Sequence, residues 1–402
     1  MNTKIKLILL LSTIDMSLLM MQIMAIPYKV SALGLSNIHM GYIVMTFALV
    51  QLIGNPSFGW ICDKTSIRAA FILSFVSWAM VYAVSAFAGC VHTLMLSRAL
   101  GFWALGSQAA QSAVPKVATS AEERDNAIAK LAATLGVGLV LGPLTGAFLS
   151  YLGGFKAVLW GGATISLSAT VLVAIILPND SASTAPVKQK TEKYNDKRSL
   201  LKIYARIIGN YKVIIPMLLR SLVVLPIFIQ NPVMSMYHIK VIGATHGQMS
   251  LFGAFCGITM TFCSAAVVPT VRRVVTSTAV FQLAASCFAV YYVGLIFYTE
   301  LYRLFIIQIF GVLAVCLCQT AADSLVAANS DKAESGTVFG LSNAIMSSFK
   351  VVGPVIGSYG DRLMGYSFII CTGLTTAVII FVAATLGIST QKSATDFTKK
   401  EN

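Results

Sequence analysis

Charged side chains in the middle of long apolar runs are the residues of this sequence that could do chemistry. On insertion scales such a residue costs about 2.5–3.5 kcal/mol if it faces lipid, so it usually faces a water-filled cavity or pairs with another charge. The first of these charged residues is Asp15, and Gln22 lies seven residues after it on the same helical face. We expect a substrate-binding and proton-coupling site built from Gln22 and from Asp15, Arg98, Arg220, Asp323 and Lys350.

Asp15 is the main candidate for coupling. A single carboxylate can hold a cationic substrate or a proton, but not both, and this exclusion is the simplest mechanism of exchange. The alternative is a buried salt bridge from Asp15 to Arg98 or Arg220 that only fixes helix packing. For Asp323, a gating role and substrate binding are both left as alternatives. Lys350 is expected to face the substrate cleft.

The balance of these charges leaves a second hypothesis open. Two acids and three bases give an excess positive charge if all are ionised in one cavity. A site for organic cations would favour the opposite sign. Either the bases pair away from the substrate, or the substrate is an organic anion or zwitterion held by Arg98, Arg220 and Lys350.

The elements that position these residues are predicted to be membrane-spanning helices. The chain is 57% hydrophobic and 11% charged, with a mean hydropathy of +0.80, whereas a soluble domain has about 25% charged residues. A span needs about 20 apolar residues, and lipid leaves no partner for free backbone groups. Twelve runs qualify, at residues 7–25, 40–61, 69–89, 91–114, 127–152, 155–177, 213–236, 249–270, 275–298, 301–328, 336–359 and 363–388.

The distribution of lysine and arginine predicts the topology. With both termini in the cytoplasm, 21 of the 29 basic residues fall on the inside and 5 on the outside, as the positive-inside rule requires. This explains the net charge of +14 without nucleic acid as a partner. The predicted divisions are an N-terminal six-helix half (1–178), a cytoplasmic linker (179–212), a C-terminal six-helix half (213–390) and a tail (391–402).

Two helices carry the same small-residue motif at a fixed separation. The fifth span contains Gly138, Gly142, Pro143 and Gly146, and the eleventh contains Gly353, Pro354 and Gly357. The offset between the Gly-Pro-x-x-Gly segments is 211 residues, which indicates an internal duplication typical of secondary transporters. Glycines let helices approach closely, and a proline bends its helix.

The connection between spans two and three contains Gly59, Asp63, Lys64 and Arg68. An aspartate there can accept from the N-terminus of a neighbouring helix, and the bases can pair with carboxylates, so this segment could hold the two halves in one state. An ordinary basic loop is the alternative. The segment resembles the cytoplasmic signature of the major facilitator superfamily, Gly-x-x-x-Asp-Arg/Lys-x-Gly-Arg/Lys-Arg/Lys, and departs from it at Ser66 and Ile67.

The fifth-span motif resembles the antiporter signature of the same superfamily. Within it, the chain resembles the organic cation transporter-like protein 2 group of solute carriers (the family 22 member 18 group). This similarity includes Ile26-Pro27-Tyr28, Leu33-Gly34-Leu35, Leu52-x-Gly54-x-Pro56-x-Phe58-Gly59 and Ala322-Asp323-Ser324. The resemblance implies a major facilitator fold and proton-coupled antiport of organic cations or drugs.

We expect no enzyme activity, no cofactor and no metal site, because the sequence shows no nucleotide-binding loop or catalytic constellation. The expected partners are a small organic ion, protons and membrane lipid, and the expected state is a monomer. The plasma membrane is the favoured location and an internal membrane the alternative. The histidines at the predicted outer span ends (His39, His92, His238 and His246) are interpreted as interfacial residues. A membrane receptor or scaffold that keeps the fold without transporting is a third hypothesis.

Overall fold

The computed structural model describes residues 3–117, 121–177, 209, 211–329 and 335–385, and the elements of this part of the chain are helices. Eight of them are long and apolar enough to cross a membrane. In hydrocarbon a backbone N–H or C=O finds no water, so a helix, which pairs these groups internally, is the form that such runs adopt. The all-helical membrane class predicted from hydropathy is confirmed.

Six α-helices are described in the first part of the chain, over residues 3–117 and 121–177. A short 3₁₀ helix, Leu100–Trp103, stands between the fourth and the fifth. The helices are α1 Thr3–Ala32, α2 Asn37–Lys64, α3 Ile67–Phe87, α4 Val91–Ala99, α5 Gly106–Val117 and α6 Ala121–Ile176.

Seven α-helices follow among the described residues from 211 to 385. A five-residue π-helical turn, Cys263–Val267, joins the second of these to the third. They are α7 Tyr211–Lys240, α8 His246–Phe262, α9 Val268–Val274, α10 Ser277–Phe297, α11 Leu301–Asn329, α12 Ser335–Met364 and α13 Ser367–Ala383.

The long helix α6 covers the fifth and sixth predicted spans. It is interrupted at Gly153 and Gly154, where the backbone leaves the helical region. Gly154 has φ +66°, which a residue with a Cβ rarely adopts. The chain therefore reverses at this glycine pair, at the boundary expected between residues 152 and 155.

The fourth span was predicted as one helix over residues 91–114, and this is wrong. The structure breaks it between α4 and α5, at residues 100–105. The α-helical hydrogen-bond pattern is interrupted at Gly101. This residue packs closely against Phe47, since a Cβ at Gly101 would lie 2.9 Å from the Phe47 ring. Hydropathy averages over this short interruption because the residues around it are apolar.

Local details recur about 210 residues apart. The hydroxyls of Ser66 and Thr276 both accept from the backbone N–H three residues on, at the starts of α3 and α10. The rings of Tyr82 and Tyr292 occupy the space that a Cβ would need at Gly162 and Gly373, respectively. These equivalent positions support the duplication. The predicted boundary between the halves stays a prediction, because residues 178–208 lie outside the described part of the chain, as does the predicted tail.

The chain divides into two compact units. The first comprises residues 1–183, 231–261 and 354–359, and the second comprises residues 184–230, 262–353 and 360–402. Each unit has its own apolar core. Phe71, Phe75 and Trp78 are buried in the first, and Phe281 and Leu317 are buried in the second.

Candidate functional site

The carboxylate of Asp15 lies at the centre of a hydrogen-bonded site in the first unit. The side chain is 4% exposed. Its Oδ1 atom accepts from Trp78 Nε1 at 2.7 Å, from the Gly106 backbone N–H at 2.9 Å and from Ser74 Oγ at 3.4 Å. Its Oδ2 atom accepts from the Ser107 backbone N–H at 2.8 Å. All four donors are neutral, so the carboxylate is held by dipoles and not by a counter-charge.

Two of these donors belong to the first turn of α5. The first N–H groups of a helix have no partner inside it, and the helix dipole favours an anion there. Asp15 therefore caps α5 from a different helix, α1. A Cβ at Gly106 would lie 2.7 Å from Asp15 Oδ1, so this close approach depends on glycine. Ser74 contributes a second bond here, since its Oγ also accepts from the Leu105 backbone N–H at 3.1 Å.

The positions of the second half that correspond to this site, as far as the structure describes them, form no equivalent of it. At an offset of 210 residues, Leu225 replaces Asp15, Ala284 replaces Ser74 and Phe288 replaces Trp78. The corresponding helix, α11, runs unbroken from Leu301 to Asn329. The helix break thus occurs in the half that has a buried carboxylate to cap its new N-terminus.

Arg98 is buried near the end of α4, with 4% of its surface exposed. Its Nη2 atom donates to Ser85 Oγ at 2.8 Å, its other bonds go to Ser97 Oγ, and its guanidinium carbon lies 5.7 Å from the centre of the Phe47 ring. Both Arg98 and Asp15 are thus bonded to neutral groups. The alternative of a salt bridge from Asp15 to Arg98 is not what the structure shows.

Gln22 is also buried, with 1% exposed, and its Nε2 atom has no hydrogen-bond partner within the described residues. Lys350 belongs to the second unit. Its side chain is exposed, and its Nζ atom lies 5.8 Å from the centre of the Phe228 ring. Arg220 and Asp323 fall on α7 and α11, but their side chains lie outside the described part of the structure.

The predicted gating segment spans the end of α2 and the start of α3. Gly59, Asp63 and Lys64 are on α2, and the side chains of Asp63 and Lys64 are not among those described. Arg68 is half-buried on α3. The departure from the superfamily signature at Ser66 has a structural reason. Its Oγ accepts from the Ala69 backbone N–H and caps α3, a bond that glycine could not make.

The glycines of α6 make the helix contacts expected of them. A Cβ at Gly142 would lie 2.5 Å from the Ser17 carbonyl oxygen, and one at Gly138 would lie 2.6 Å from Met16 Cβ, so both glycines face α1. Pro143 is buried and Gly146 faces Met21.

The matching motif on α12 is buried as well. Gly353 approaches Phe228 in the second unit, where its Cβ would lie 2.8 Å from Phe228 Cβ. Pro354 and Gly357 are buried in the first unit.

The sequence marks Asp15 as a candidate but does not identify its hydrogen-bond partners, and its role stays a prediction. Trp78 and Ser74 lie in an apolar run where they look like packing residues, and two donors are backbone groups. The one available signal is the Gly106-Ser107 pair within an apolar stretch, since glycine and serine are common where a helix starts.

The fold and this site define a multi-pass membrane protein with buried ionisable groups in its spans. The family model described as Major Facilitator Superfamily matches residues 7–354, and the chain belongs to this family of transporters. It is similar to the rat solute carrier family 22 member 18, with 24% identity over 369 residues, 89% of this chain and 88% of the relative.

Two further similarities are informative. The tetracycline resistance protein, class B, of Escherichia coli is 31% identical over 110 residues, which is 27% of each chain. The crystal structure of a point mutant of the nucleoside transporter NupG superposes with a TM-score of 0.74 at 14% identity, covering 96% of this chain and 100% of that one. The resemblance to the superfamily and to the family 22 member 18 group is therefore confirmed, as is the major facilitator fold.

Proposed function

We propose that this transporter moves small organic ions, chiefly organic cations or drugs, in exchange for protons, and that Asp15 carries the coupled proton. The observation that carries the proposal is the neutral surroundings of the Asp15 carboxylate. A carboxylate locked to an arginine would stay ionised through the cycle. A carboxylate held by Trp78, Ser74 and two backbone N–H groups can bind a proton and lose its negative charge. Its hydrogen bonds to these donors then change.

The geometry supplies a link between proton binding and helix position. A protonated carboxyl loses its negative charge, and one oxygen becomes a donor. The N–H groups of Gly106 and Ser107 would then face a weaker acceptor, and the anion that stabilises the α5 N-terminus would be gone. Proton binding at Asp15 would free α5, whereas proton release would fix it again.

The relatives support the class of substrate. One is a solute carrier and another a tetracycline resistance protein by name. Exchange for protons is energetically sufficient, because one proton moving down about 100 mV supplies about 2.3 kcal/mol. We infer that the two halves alternate around a substrate near the membrane midplane, with both termini in the cytoplasm.

Proteoliposomes that hold the purified protein under an imposed pH gradient would test the proposal. Asp15→Asn should abolish pH-driven substrate flux. The matched control is Trp78→Phe, which removes one donor to Oδ1 but keeps the carboxylate, and which should lower stability while pH-driven flux persists. Unchanged proton coupling in Asp15→Asn would contradict the proposed role of Asp15. If the wild type transported none of the compounds tested, a receptor or scaffold would be favoured.

Arg98 favours a second candidate function, transport of organic anions or zwitterions. Its guanidinium carries five N–H donors, and its acceptors here are the hydroxyls of Ser85 and Ser97. A substrate carboxylate or phosphate would supply the missing counter-charge. Competition by anionic and cationic compounds in one uptake assay separates the two candidates. If anions compete, Arg98→Lys should raise KM, because an ammonium lacks the planar fork, whereas Arg303→Lys at an exposed position should not.

A further inference from the structure

His246 is a buried imidazole that the candidate site does not include. It begins α8, and 4% of its surface is exposed, so it is not the interfacial residue expected from its place near a span end. Its Nδ1 atom lies 3.3 Å from Ser250 Oγ, and its Nε2 atom has no hydrogen-bond partner within the described residues. A histidine with one ring nitrogen unsatisfied is placed to take up or release a proton.

The surroundings of His246 come from three helices of the first unit. From α1, the Tyr28 ring makes an edge contact with centroids 5.1 Å apart. From α6, Gly146 comes close enough that its Cβ would lie 3.6 Å from His246 Cε1. Ser250 is on α8 itself. Tyr28 also donates its hydroxyl to the Ala244 carbonyl oxygen at 2.9 Å, next to the start of α8.

Among the described contacts of His246, no charged side chain could balance a proton on the ring. Tyr28 is the titratable group among those contacts, and its hydroxyl is engaged. Asp15 is the one acidic side chain that the structure describes in this unit, and its carboxylate is bonded to α3 and α5. Lys29, the charged residue nearest to Tyr28 in sequence on α1, donates to the Ala86 carbonyl oxygen. An imidazolium here would be a buried charge without a counter-ion, which is strongly unfavourable.

We propose that His246 is a proton-binding site that controls opening of the outer end, meaning the end of the first unit with the 33–36 and 241–245 connections. The neutral imidazole fits the closed packing of α1, α6 and α8. The protonated form gains a second donor and a charge, and both are satisfied by water only when α8 separates from α1. Because a proton binds the open arrangement better, acid shifts the population toward it. This inference does not depend on which ion is exchanged.

Hydrogen exchange on the full chain in lipid nanodiscs, read by mass spectrometry and corrected for intrinsic rates, would test this. Imidazole changes charge between about pH 5 and pH 8. Protection of the first turns of α8 should fall several-fold at the lower end of that range in the wild type. His246→Gln should show the same protection at both ends. His92→Gln, at an exposed position near the start of α4, should behave like the wild type.

A second variant tests the electrostatic cause. Ser250→Asp places a carboxylate beside Nδ1, so the protonated imidazole would gain a counter-charge and the low-pH loss of protection should disappear. Protection in the wild type that does not change with pH would overturn the proposal. So would a pH response that survives in His246→Gln, or one that is unaltered in a folded Ser250→Asp protein.

Discussion

The Oδ1 atom of Asp15 lies 2.9 Å from the backbone nitrogen of Gly106, so a side chain on α1 caps a helix that begins 91 residues later. This bond joins the one buried acidic side chain described in the first unit to the break between α4 and α5. An acid that sequence alone marks as a substrate or proton ligand is therefore also a structural cap. A proton bound to this carboxyl group would directly change its hydrogen bonds to the backbone N–H groups of Gly106 and Ser107.

Replacement of Gly106 tests the closeness of this contact. Gly106→Ala places a Cβ 2.7–2.9 Å from the Oδ1, Cγ and Cβ atoms of Asp15, which is buried and cannot move aside. We expect a loss of about 1–3 kcal/mol in the free energy of unfolding. The matched control is Gly247→Ala on α8, where a Cβ meets nothing within 4 Å. Equal stability of the two variants, in a detergent unfolding titration, would contradict this prediction.

The contact between α1 and α6 is expected to be equally intolerant at Gly142. A Cβ there would lie 2.5 Å from the Ser17 carbonyl oxygen and 2.8 Å from Met20 Cβ. Because backbone blocks the new methyl group, Gly142→Ala should lower stability by about 1–3 kcal/mol. Gly136→Ala, six residues earlier on α6, meets the hydroxyl of Thr261 at 3.3 Å. It should be tolerated, and a comparable loss there would refute the explanation.

The hydroxyls of Tyr42 on α2 and Tyr359 on α12 lie 2.6 Å apart in the first unit. Removal of either hydroxyl, by Tyr42→Phe or Tyr359→Phe, should lower the free energy of unfolding slightly, because it breaks this bond. The double variant should lose little more than either single one, because the same bond is broken. Additive losses in the double-mutant cycle would show that the two hydroxyls act separately.

Cys90 offers a test of topology and of local electrostatics. It precedes α4, is exposed, and its sulfur lies 3.2 Å from Thr93 Oγ1. The bond from the Thr93 hydroxyl lowers the pKa of the Cys90 thiol, which raises the thiolate fraction at neutral pH, and thiolate is the reactive form.

A membrane-impermeant maleimide added outside intact cells should therefore label Cys90 rapidly. Thr93→Val removes the bond and should slow the reaction, whereas Cys90→Ser should eliminate this labelled peptide. Labelling of Cys90 only from the cytoplasmic side would reverse the predicted topology.

Hydropathy was enough to predict the helical class, and the small-residue motifs were enough to predict the close packing of Gly138, Gly142 and Gly353. The superfamily came from the resemblance of two segments to known signatures. These features depend on residue type at a fixed position. The break at residues 100–105 could not be predicted, because hydropathy is averaged over a whole span and the residues around the break are apolar. The donors to Asp15 were equally hidden, since Gly106 and Ser107 contribute backbone groups that every residue except proline has.

The burial of His246 also lay beyond sequence reasoning. A histidine at a span end is compatible with the membrane interface and with a packed junction between helices. The choice between them depends on Gly146, whose missing side chain lets the imidazole pack against α6. Contacts between helices distant in sequence decide such cases.

The contrast between the broken α4–α5 and the continuous α11 has a mechanical consequence. A helix with an uninterrupted hydrogen-bond ladder bends little, whereas two short helices joined by residues 100–105 can change their mutual angle by altering a few backbone dihedrals. The two equivalent helices of the repeat thus differ in compliance. Elastic strain along the α4–α5 pair would concentrate at residues 100–105, whereas α11 would transmit it along its length.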